Sequence, residues 1–132
     1  MTILLDTQCW LWWLVSPEKL SPGALACLAD VKNTLLLSSA SSWEIAIKHS
    51  LGKLPLPEPL EAFVSSRMAR DGIAALPVQH VHALRVAALP LHHRDPFDRL
   101  LIAQAQVERV PIMTADPVFQ RYDVEVIRGD QS

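Results

Sequence analysis

The chain has 132 residues, half of them apolar and a fifth charged, with a formal net charge of −2. That is the size of one ordinary domain with enough apolar material for a core, which excludes a disordered chain. The acidic balance also excludes a polycation that holds nucleic acid by bulk charge alone, leaving open a local basic patch or a bound metal. In chain order, Thr2 to Leu5 (TILL) reads as a buried strand ended by Asp6, and a helix follows from about Gln8 to Val15. Ser21 and Pro22 open a second helix, as N-cap and first helical residue, which runs to about Val31. Thr34 to Ser38 is a second short strand. In the segment that follows, Ser41 and Glu44 have capping-box spacing, which puts Glu44 in the first turn of a helix that Gly52 ends. A Pro-rich connection leads to a helix over Leu60 to Arg70, stopped by Asp71-Gly72, then to a third strand over Ile73 to Val78. Val81 to Ala88 is a short helix, Asp95-Pro96 opens another, and Pro111 to Thr114 is a fourth strand. Asp116-Pro117 starts a helical turn, and Val124 to Ile127 is a candidate fifth, edge strand.

Short strands, apolar on both faces and separated by helices, imply an α/β fold of three layers. One domain over residues 1–132 would hold a central parallel sheet of about five strands with helices on both faces. Right-handed crossovers put the strand C-termini along one edge, where the crevice of open α/β sheets lies. No apolar run approaches the ~20 residues of a membrane helix. The apolar start lacks a basic segment and carries Asp6, which argues against a secretory signal. Cys9 and Cys27 have no metal-type spacing and read as reduced thiols in a cytoplasmic protein.

Asp6, Glu44, Asp98 and Asp116 all fall where strand gives way to helix. Three of them have a local explanation: Glu44 as the partner of Ser41, Asp98 as third residue behind an Asp95 N-cap, Asp116 as N-cap before Pro117. Asp6 has none, because a strand end gains little from an acid. Asp98 shares a stripe with Leu101, Ile102 and Ala105, and Glu44 shares one with Ile47 and Leu51, so both acids point inward. Carboxylates that converge without basic partners suit a hard divalent cation, and such a site serves phosphodiester hydrolysis.

The segments ILLDT, SSWEIAIK (41–48), HRDPFDRLLIAQA (93–105) and PIMTAD (111–116) resemble the PIN domain, and more narrowly the ribonuclease toxins of VapBC-type toxin–antitoxin modules. The resemblance covers nearly the whole chain and implies an endoribonuclease dependent on Mg²⁺ or Mn²⁺. It would hydrolyse a structured RNA, such as tRNA or rRNA, by metal-activated water. It also implies a homodimer and a cognate antitoxin. Carried over, Asp6, Glu44, Asp98 and Asp116 are the catalytic acids. Asp6, Asp98 and Asp116 hold the metal, and Glu44 positions or deprotonates the water. Thr114 and Thr7 support the site, and Asp95 is structural.

Lys48, four residues after Glu44, is either a helix ion-pair partner or a phosphate contact. Arg94 and Arg99 are solvated surface or contacts to RNA. His92 and His93 are poor metal ligands as neighbours on a loop, and an RNA contact fits them better. Trp10, Trp12 and Trp13 cannot all face one core, so one side of their helix is a candidate dimer or antitoxin interface. Trp43 reads as core. Two other functions compete. A phosphotransfer receiver domain needs a late lysine, and none follows Lys53. A non-catalytic PIN-like module that binds RNA or protein would be marked by loss of an acid, and none is lost.

Overall fold

A computed structural model describes residues 1–130. The elements run β1 (Thr2–Leu5), α1 (Thr7–Val15), α2 (Pro22–Ala29), β2 (Thr34–Ser38), α3 (Ser39–Ser50), α4 (Leu60–Asp71), β3 (Ala74–Leu76), α5 (His80–Arg85), α6 (Pro96–Glu108), β4 (Ile112–Thr114) and β5 (Val126–Arg128). Short 3₁₀ turns lie at Pro17–Lys19, Val86–Ala88 and Pro117–Arg121. All five strands are parallel, in the order β3-β2-β1-β4-β5.

Side-chain alternation along the strands divides the core into two layers. Ile3, Leu5, Leu35, Leu37 and Met113 pack on one face with Trp10, Leu11, Ala24 and Leu28 of α1 and α2. Leu4 and Ile112 point the other way, onto Leu101, Ile102 and Ala105 of α6 and onto Phe119 and Tyr122. The expected three-layer α/β fold is therefore present. Chain order grows leftward from β1 to β3 and rightward through β4 and β5, so the topology reverses between β1 and β4. A crevice opens at such a reversal, outside the strand C-termini.

Several boundaries differ from expectation. The second helix stops at Ala29, and the third strand is only Ala74–Leu76. The fifth strand is displaced to Val126–Arg128. The larger difference is in α3, which begins at Ser39 with Ser38 as N-cap, its Oγ accepting from the Ala40 amide. The Ser41–Glu44 capping box does not form, and Glu44 lies in the second turn. The buried face of α3 is Ala40, Ser41, Glu44 and Ile45. Leu51 is 63% exposed and does not share it. Trp43 is not core either. It is 60% exposed and meets Phe97 of α6 edge-on, with ring centroids 5.1 Å apart. The tryptophans of α1 divide as their spacing requires: Trp10 is fully buried, and Trp12 and Trp13 pack half-buried against the same core. Among the described residues, no helix is long and apolar enough to cross a membrane.

Candidate functional site

At the β1/β4 reversal a cleft of about 360 Å³ is lined by Asp6, Glu44, Asp95, Asp98 and Asp116, with Lys48 the one basic residue among its walls. Five separate backbone positions supply these carboxylates, and each is placed by a local feature. Asp6 follows β1 directly and is buried. Its Oδ2 accepts a hydrogen bond from Thr114 Oγ1 at 2.8 Å, and the same hydroxyl accepts the Asp116 amide N–H at 3.0 Å. Thr114, the last residue of β4, thus ties the acid after β1 to the acid after its own strand. Thr7 donates to Ser41 Oγ at 2.8 Å, which fastens the start of α1 to α3.

Asp95 is the N-cap of α6. Its Oδ1 accepts the amides of Phe97 and Asp98, so it is occupied with the helix end although it borders the cleft. Asp98 is one turn further in, ahead of the buried Leu101, Ile102 and Ala105. Asp116 caps the 3₁₀ turn after it, with Oδ1 accepting from Val118 N at 2.9 Å. Its Oδ2 faces His93 Nε2. Glu44 reaches in from α3. Its Oε2 pairs with Lys48 Nζ at 2.8 Å, whereas Oε1 is buried and has no hydrogen-bond partner among the described residues.

Crowding shows in the proton affinities. Burial pushes the Asp98 carboxyl up to about 8, with further upward contributions from the negative charges of Asp6, Asp95, Glu44 and Asp116. Burial likewise raises Asp6 to about 6, against the lowering effect of its hydrogen bonds from Thr114 and the Gln8 amide. Lys48 moves up, first because of its hydrogen bond to Glu44.

Of the two readings of Lys48, the ion pair with Glu44 is present, while Asp6 pairs with no lysine, arginine or histidine among the described residues. Arg99 bonds within the chain. Its Nη1 donates to Pro90 O at 3.0 Å and its Nη2 to Val86 O at 3.2 Å, so the guanidinium fastens a loop. Arg94 is exposed.

The residue whose placement the sequence did not show is His93, read there as an RNA contact. Its Nε2 lies 2.8 Å from Asp116 Oδ2 and 3.0 Å from Asp98 Oδ2. One potential ligand atom from each of His93, Asp98 and Asp116 lies within 4.8 Å of the others. Asp6 is outside that group and joins it through Thr114. Buried Tyr122 holds the segment in place: its hydroxyl donates to Pro90 O at 2.8 Å and accepts the amides of His92 and His93. The signal available in the sequence was a histidine two residues before an N-cap aspartate. Nothing in that spacing showed that the ring folds back towards Asp98. The carboxylates of Asp6, Glu44, Asp98 and Asp116, all lining one cleft, are the hard oxygen donors that suit a divalent cation.

The open parallel α/β sheet thus carries an acid-lined crevice at its topological reversal. The PIN domain family model matches residues 3–125, and the protein belongs to that family. Ribonuclease VapC16 of Mycobacterium tuberculosis (strain ATCC 25618 / H37Rv) is 54% identical over 57 residues, 43% of this chain and only 40% of that relative's length. The crystal structure of VapBC2 from Rickettsia felis, bound to a DNA fragment from their promoter, is similar with a TM-score of 0.74 and 15% identity, covering 98% of this chain and 100% of that one. DNA-bound VapBC from Salmonella typhimurium is similar with a TM-score of 0.68 and 16% identity, covering 96% and 97%. At such identities these structures bear on the fold.

Proposed function

We propose that the protein is an endoribonuclease dependent on Mg²⁺ or Mn²⁺, and that it acts in the cytoplasm as the toxin of a toxin–antitoxin pair. A structured RNA such as tRNA or rRNA is its substrate, a small antitoxin protein its inhibitor, and a homodimer its working form. The observation that carries the nuclease reading is the cleft itself, where burial and four neighbouring carboxylates hold Asp98 up to about 8. Such an arrangement opposes its own ionisation, and a divalent cation relieves it. The toxin reading draws support from PIN-family membership, from the similarity to Ribonuclease VapC16 and from the VapBC complexes among the similar structures.

Asp6, Asp98 and Asp116 would hold the ion. When bound, it supplies charge stabilisation to a phosphodiester and lowers the pKa of a water. Glu44 would position or deprotonate the attacking water, with Lys48 on Oε2 fixing the carboxylate. Thr114 keeps Asp6 and the Asp116 turn in register, and Thr7 with Ser41 sets Asp6 opposite Glu44. Lys48 is half exposed, so its other N–H bonds, with exposed Arg94, offer contacts to RNA phosphates.

Incubating the purified protein with total RNA, with and without EDTA, tests this. Discrete fragments that vanish with EDTA and return with Mg²⁺ or Mn²⁺ are expected. RNA left intact under all conditions, or cleavage indifferent to the chelator, would overturn the reading.

A further inference from the structure

We infer that His93 is a positioning residue which donates to Asp116 beside Asp98 and is not itself a metal ligand, so that it keeps the site an all-oxygen one. The inference rests on the proposed metal-dependent function and concerns how the cation is held. Proximity alone makes His93, Asp98 and Asp116 look like a three-ligand set. The other side of the ring decides otherwise. His93 Nδ1 accepts the backbone N–H of Asp95 at 3.1 Å. An amide nitrogen can only donate, so Nδ1 must present its lone pair, and the proton of the neutral ring is then on Nε2. A doubly protonated ring would set an Nδ1–H against that amide. Nε2 therefore faces Asp116 Oδ2 and Asp98 Oδ2 as a donor, with no lone pair to offer a cation.

The ring is also held from behind. The His93 amide donates to Tyr122 Oη at 2.8 Å, and Tyr122 in turn donates to Pro90 O. Arg99 Nη1 reaches Pro90 O. The ring packs edge-on against buried Phe119, with centroids 5.8 Å apart. Offering Nε2 as a ligand would need its proton moved to Nδ1, which would set two donors face to face at the Asp95 amide. Nε2–H donates to Asp116 Oδ2 with Asp98 Oδ2 3.0 Å away, so one ring sits between two acids that otherwise repel. An outer hydrogen bond of this kind orients metal-binding carboxylates and commonly sets affinity 10–100-fold, the order of about 10-fold or more expected here. With its nitrogen withheld, the site favours hard cations over Zn²⁺.

The test measures binding of Mg²⁺ and Mn²⁺ by calorimetry, without RNA, for the wild type, His93→Ala and His93→Gln. A glutamine amide places an N–H where Nε2–H stood and cannot replace an imidazole ligand of Zn²⁺. His93→Ala should lose about 10-fold or more in Mn²⁺ affinity, and His93→Gln should recover most of it. Imidazole ¹⁵N spectra, with His93 assigned from the His93→Gln protein, should show Nε2 protonated both before and after Mg²⁺ is added. Loss of that proton on Mg²⁺ binding, equal affinities for wild type and His93→Ala, or no recovery in His93→Gln would each overturn the inference. A wild type that binds neither cation would take the proposed function down as well. Binding that is present but indifferent to His93 removes only the role given to this residue.

Discussion

Asp98 is the carboxylate most opposed to its own charge, because burial and four acidic neighbours all act in one direction. Replacing it with asparagine keeps the shape and removes the charge. Asp98→Asn should therefore abolish RNA cleavage, by about 100-fold or more, since losing a ligand exceeds the usual cost of losing an outer hydrogen bond. The same change should leave the metal-free protein as stable as the wild type or more so, by relieving like-charge repulsion. A cleavage assay beside a thermal melt by circular dichroism checks both halves; a variant that unfolds, or that cleaves normally, would contradict them. Asp6→Asn should be equally inactive, but the amide can no longer serve Thr114 as a carboxylate does, so a small loss of stability is expected. The acids themselves were legible in the sequence because a polar residue at the head of an apolar stripe is unusual. His93, Ser41 and Tyr122 were not. Their roles depend on partners 23, 34 and 32 positions away, a separation at which chain spacing carries no geometry.

The elements were legible where local chemistry decides them and illegible where several residues could serve. Pro22, Pro96 and Pro117 each follow a side-chain N-cap, Ser21, Asp95 and Asp116, and all three turns start where that pairing places them. Before α3 the sequence offers Ser38, Ser39, Ser41 and Ser42. Any of these can cap a helix, and the end of the β2 ladder at Ser38 makes the choice. Trp43 lies away from the buried face of Ala40, Ser41, Glu44 and Ile45, and so turns outward beside Phe97. Two variants probe how elements are joined. Tyr122→Phe removes one donor to Pro90 and one acceptor for two loop amides, and should cost about 1–3 kcal/mol in chemical denaturation. Gly129 follows β5, and a Cβ there would meet Cys9 Sγ at 2.5 Å, inside the core. Gly129→Ala should destabilise by about 1–3 kcal/mol through overpacking, and Cys9→Ala in the same chain should restore much of the loss. Additive losses in the double variant would show that the close approach is not the cause.

The charge gathered at one end of the sheet couples the stability of the whole protein to pH and to metal. Asp98 and Asp6 are raised to about 8 and about 6 from an ordinary value of 3.8, both chiefly by burial. For an acid whose folded pKa is raised, the native state binds more protons than the unfolded chain between the two values, so stability falls as pH rises through that window. As far as these two groups are concerned, the metal-free protein should thus be most stable below about pH 4 and lose stability progressively towards pH 8. A divalent cation competes with those protons. Its stabilisation follows the ratio of free ion to dissociation constant, and the dissociation constant improves as the carboxylates ionise. The rise in melting temperature on adding millimolar Mg²⁺ should therefore be small at pH 5.5 and large at pH 8.5. Asp98→Asn should flatten the metal-free decline and shrink the Mg²⁺ effect together, because one group is responsible for both. Melts of the EDTA-treated protein over pH 5–9, repeated with Mg²⁺, decide the matter. If the chelated protein becomes more stable as pH rises through 6 and 8, or if Mg²⁺ raises the melting temperature equally at both ends, the buried acids are compensated by something other than a cation.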